Sequence, residues 1–158
     1  MINEFELGKI LTNNNNNFKL IKKIKSYKTF FGSPLKKFIR NIYNQFEIPM
    51  ESFYISIYYI NTFYKINNYN NKELINYLFD NINYFVFSSI IIALKLLLDD
   101  TFNIKLMCEI LSLNYNNYKN IELILLKGLD WNISINNNDY LNFKMNLAHY
   151  TDLYQKTD

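Results

Sequence analysis

Few side chains in this chain could carry out covalent chemistry. It holds one histidine, His149, and one cysteine, Cys108. A lone histidine near a chain end reads as a surface or packing residue. Cys108 falls on the apolar side of a short helical segment, where a thiol behaves as a small buried hydrophobe and not as a nucleophile. No Cys/His spacing suits zinc, and no serine has a histidine to activate it. With three glycines in all, the chain has no glycine-rich phosphate loop. Asp99-Asp100 could bind a metal, but adjacent acids after a long apolar run read as a solvated stop. Neither an enzyme nor a cofactor is expected. Two ionisable residues remain. Lys95 interrupts the apolar run at Ile90–Asp100, and Glu122 stands near the start of a second run at Asn120–Ile133. At helical spacing both runs are buried helices, where a charge is costly unless it sits at an edge or meets a partner.

The elements that must position these two residues can be read along the chain. Its 158 residues suit one domain with a real core, and 49% hydrophobic content with few Gly and Pro excludes disorder and a loop-rich β protein. The abundance of Asn, Ile, Lys, Tyr and Phe follows A/T-rich codons. A net charge of +3 gives no reason to expect nucleic acid. A single cysteine excludes an intramolecular disulfide and suits a reducing compartment, so cytoplasm or nucleus is expected. Met1–Ile10 contains acids and lacks an apolar core, so no secretory leader is expected. Tyr84–Leu98 is shorter than the roughly 20 residues of a membrane span, and a soluble protein with no membrane partner is expected.

Asn13–Asn17 is a polar tract that reads as a loop. Phe18–Phe30 predicts an amphipathic helix, with Phe18, Ile21, Ile24 and Tyr27 on one side and lysines elsewhere. Its basic face reads as solvated, with a phosphate or membrane surface as the other reading. Ser33-Pro34 is a helix start, and the helix should run to Phe46, burying Phe38, Ile42 and Phe46. After Pro49 a helix is predicted over Met50–Tyr64, then a loop at Asn67–Asn71 and an extra helical turn or two at Lys72–Phe79. Asp80 is read as the cap of Asn81–Leu98, which is apolar on nearly every side and is therefore the central element. Ile104–Leu111 should be capped by Asn103, and Tyr115–Leu129 by Asn114, with Gly128 just before the turn. Asn136–Asp139 should cap a last helix, Tyr140–Tyr154. No strand pattern is found. The prediction is an all-α fold of five core helices flanked by one at each end.

On Ala93–Asp100 (ALKLLLDD), and on the glutamate that precedes the apolar turns of the later helix, the chain resembles the cyclin box. It is most similar to the short P/U-type cyclins of phosphate-pathway kind, over about Phe31–Leu147. The resemblance implies a cyclin box at 31–147, an N-terminal extension at 1–30 and a tail at 148–158. It implies a regulatory subunit that binds and activates a cyclin-dependent protein kinase, with Lys95 and Glu122 bonding to kinase backbone groups. Leu96, Leu126, Trp131 and Ile133 would supply apolar contacts. A second reading of Trp131 is that it closes the domain core. Many cyclins carry Asp-Arg where this chain has Asn61-Thr62, and their first-helix arginine has no counterpart near Gly32. The substrate-docking motif of cell-cycle cyclins is also missing. A cyclin-fold adaptor, or a transcription-factor-like module without kinase activation, is the alternative function.

Overall fold

In the computed structural model, the sequence 82–97 becomes the centre of the core. The structure describes residues 35, 37–67, 70–98 and 102–155, with side chains as far as 146. The Asn tract, the Phe18–Phe30 segment, Ser33-Pro34 and Asp99-Asp100 lie outside the described residues. All regular structure among the described residues is helical: α1 at residues 37–46, α2 Met50–Asn67, α3 Lys72–Asp80, α4 Ile82–Leu97, α5 Ile104–Ile110, α6 Tyr115–Gly128 and α7 Asn137–Gln155. The all-α prediction holds. Residues 38–134 form one compact unit, and α7 belongs to a second.

Every residue of α4 from Phe85 to Leu94 is buried, so all faces of this helix need neighbours. It packs against α2, α6 and α3, while α2 also meets α3 and α6, and α5 meets α6. Small side chains let the helices approach: Ser52, Ser56, Ser88 and Ser89 are buried among the larger ones. Ser56 and Ser89 turn their hydroxyls back to the carbonyls of Phe53 and Val86, each at 2.8 Å, which satisfies them within their own helix. The Tyr43 ring of α1 stacks on Phe53 of α2 with centroids 3.9 Å apart.

Helix ends depart from the sequence reading where two polar residues compete for a cap. Asp80 does not cap α4; it is the last residue of α3. Asn81 occupies the junction and sends its side-chain amide back to the Tyr77 carbonyl at 2.9 Å, closing α3 without capping α4 by a side chain. The chain bends by 94° there, and no single helix among the described residues is long and apolar enough to cross a membrane. The segment 72–80 is a full helix, capped by Asn71 through a 3.1 Å bond to the Leu74 N–H. Asn103, Asn114 and Asn136 do cap α5, α6 and α7 as predicted. Helix α2 runs on to Asn67, whose amide donates to the carbonyls of Phe63 (2.8 Å) and Gly128 (3.0 Å), joining the ends of α2 and α6. Gly128 is the last residue of α6, and an added Cβ would strike the Phe63 ring. Its role is close approach between helices.

Candidate functional site

Helix α4 leaves the core at Lys95. Leu94 is buried, whereas Lys95, Leu96 and Leu97 are exposed. Helix α6 buries Tyr118, Ile121 and Leu125 as a stripe, and Glu122 lies beside that stripe, one turn after Tyr118. Because α4 and α6 pack together, the two ionisable side chains meet. Lys95 Nζ is 2.7 Å from Glu122 Oε1, with Lys95 47% and Glu122 16% exposed. The Tyr118 hydroxyl donates to the same oxygen, also at 2.7 Å.

This three-residue cluster is graded from wet to dry. The Lys95–Glu122 pair is open to solvent on its lysine side, so its worth to stability is at most about 1 kcal/mol. The Tyr118 bond is different, because the phenol is buried and its acceptor is charged; such bonds contribute roughly 1.5–3 kcal/mol. Burial first, and then the Glu122 carboxylate, push the Tyr118 phenol well above the ordinary tyrosine range. It therefore remains a donor at any physiological pH. The predicted site did not include Tyr118. Its spacing of four residues before Glu122 was the available signal.

The turn after α6 is built to present a side chain. Asp130 and Trp131 both have left-handed backbone, φ 52° and 59°. The Asp130 N–H bonds to the Lys127 carbonyl (3.0 Å) and the Trp131 N–H to the Leu126 carbonyl (2.8 Å), the pair of bonds that closes a Schellman turn. Trp131 is 60% exposed, so it does not close the core. Leu96 is 42% exposed, and Leu126 and Ile133 are half-buried. Leu126, one turn beyond Glu122, thus connects the ion pair to the Trp131 turn through its carbonyl.

Other candidates are placed away from chemistry. Cys108 is fully buried, and burial, with Glu109 and Glu122 adding to it, pushes its thiol up to about 11. His149 lies on α7, beyond the described side chains. Among the described residues no group of three or more His, Cys, Asp or Glu is arranged to hold a metal.

Residues 8–134 match the family described as Cyclin, N-terminal domain. The chain belongs to this cyclin family. No curated protein and no solved structure matches it. A cyclin domain is a protein-interaction module, typically for kinases. The structure also places Asn61 and Thr62, the two residues at which the sequence departs from the Asp-Arg of the resemblance. Both are half-buried, and the adjacent packing is aromatic, with Phe63 meeting Phe85 edge-on at 5.4 Å.

Proposed function

We propose that this cyclin-fold protein is the regulatory subunit of a cyclin-dependent protein kinase, docking through Lys95, Leu96, Glu122, Leu126, Trp131 and Ile133. The observation that carries the reading is the meeting of Lys95 and Glu122 at an open edge, flanked by an exposed leucine and an exposed tryptophan. Charged side chains beside solvent-facing apolar ones are the composition of a docking surface with a polar rim. On docking, Lys95 and Glu122 turn from each other towards backbone groups of the kinase as charge-assisted bonds. The apolar neighbours supply most of the affinity.

The mechanism is stabilisation of one kinase conformation. A kinase of this class, alone, holds its regulatory helix displaced, so that its lysine–glutamate ion pair is broken. A rigid apolar surface that fits only the inward position shifts the population to the active state by differential affinity. This cyclin is then a regulator and not a catalyst, resident where its kinase is, in cytoplasm or nucleus. The test is affinity purification of the full chain with mass spectrometry, followed by activity assays of each recovered kinase. Recovery of a cyclin-dependent kinase whose activity rises on adding the protein supports the reading. A kinase that binds without activation supports the adaptor alternative.

A further inference from the structure

We propose that Tyr59 is a positioning residue for Trp131: buried in α2, it holds the turn after α6 through the Ile133 carbonyl and so keeps the tryptophan preformed for docking. This rests on the reading of Trp131 as a docking residue, and it identifies what shapes that part of the surface.

The need for such a residue follows from the backbone. Two successive non-glycine residues in left-handed conformation are each strained, so the turn persists only if its surroundings over-determine it. Bonds local to the turn do part of this. Besides the two Schellman bonds, the Asn132 N–H reaches the Leu129 carbonyl at 2.9 Å. All of these move with the end of α6 and cannot fix the turn against the rest of the domain. The Tyr59 hydroxyl can. It donates to the Ile133 carbonyl at 2.8 Å from a ring that is 1% exposed, 74 positions away in sequence. A buried ring has no freedom to follow a moving loop, so the bond anchors residue 133 to α2. Burial, with Tyr58 adding to it, pushes the Tyr59 phenol up to about 12, which keeps the donor proton in place. A second clamp from the same helix, Asn67 to the Gly128 carbonyl, fixes the other side of the turn. Trp131 is thus suspended between two attachments to α2, while its side chain remains in solvent.

Trp131 is the chain's one tryptophan, so its fluorescence reports this turn alone. In the free wild-type protein, time-resolved anisotropy should show Trp131 tumbling with the domain despite its exposure. Tyr59→Phe keeps the ring and removes the donor, and should add a fast depolarising component. Against a kinase recovered as described above, Tyr59→Phe should weaken binding about tenfold, the loss expected when a preorganised contact becomes mobile. In a Trp131→Ala background the same substitution should change affinity less than twofold. Unaltered anisotropy in Tyr59→Phe, a freely moving Trp131 in the wild type, or an equal affinity loss in both backgrounds would overturn the proposal. If Tyr59→Phe does not fold, amide exchange in the wild type decides. Protection of the Trp131 and Asn132 N–H groups like that of α6 is expected, and coil-like exchange would overturn it. If no kinase binds, the docking reading fails, while the anisotropy arm still decides the role of Tyr59.

Discussion

At the level of single residues, the cluster Lys95–Glu122–Tyr118 separates two effects that its sequence positions alone would merge. Lys95 gives up a solvent-exposed partner when truncated, so Lys95→Ala should cost under about 1 kcal/mol of stability. Glu122→Ala removes the acceptor of a buried phenol as well, and should cost about 1–3 kcal/mol more than Glu122→Gln, which keeps an acceptor oxygen. Thermal melts of the three variants check this ordering, and equal losses in Lys95→Ala and Glu122→Ala would contradict it. The two charges were legible in sequence because each interrupts an apolar run. That they bond to one another was not, because pairing depends on which helices become neighbours. Ser88 makes the opposite point: its buried hydroxyl has no hydrogen-bond partner among the described residues. Ser88→Ala should therefore leave the melting temperature unchanged or raise it, by up to about 1 kcal/mol in stability.

At the level of elements, the helices were readable where a stripe repeats every three or four residues, and least readable at their ends. Asp80 and Asn81 are both good caps by residue type, yet neither side chain caps α4: Asp80 ends α3, and the Asn81 amide turns back to the Tyr77 carbonyl. Gly128 was visible as a residue near a helix end, but its contact with Phe63 joins positions far apart in sequence. Helix propensity alone says Gly128→Ala should stabilise by about 1 kcal/mol. The contact with Phe63 says it should destabilise by about 1–3 kcal/mol through overpacking, and the latter is the expected outcome in a denaturant melt. The end of α5 offers the converse case. Ser112 has φ 57° and carries the same pair of closing bonds as Asp130, to Glu109 (3.1 Å) and, from Leu113, to Cys108 (2.8 Å). Glycine is the residue that such a position favours, so Ser112→Gly should raise stability by about 0.5–1 kcal/mol.

For the molecule as a whole, one thiol and three phenols, buried at Cys108, Tyr59 and Tyr118 and half-buried at Tyr43, are all shifted upwards. Burial raises Cys108 from 9.0 to about 11 and Tyr59 from 10.0 to about 12, and raises Tyr43 and Tyr118 further. Each is neutral when protonated, and the folded state holds these protons more tightly than the unfolded chain. Their contribution is fully present below about pH 9 and is lost progressively above it, as the unfolded chain ionises before the folded one. Melting temperatures should be level in this respect up to about pH 9 and fall above it, with thiol and phenol ionisation appearing at the unfolding transition. A melting temperature that rises above about pH 10 would contradict the burial of these groups. The central claim concerns polarity towards a partner and has a direct test in the double variant Lys95→Glu/Glu122→Lys. The swap can still form an ion pair between α4 and α6, while every charge presented to the kinase is reversed. It also removes the acceptor of the buried Tyr118 phenol, at a cost of roughly 1.5–3 kcal/mol that leaves the domain folded but lowers its melting temperature. Calorimetry against the kinase recovered with the wild-type protein should show a loss of about 2 kcal/mol or more in binding, with circular dichroism unchanged. A folded double variant that binds and activates the kinase as well as wild type would contradict the proposed docking surface.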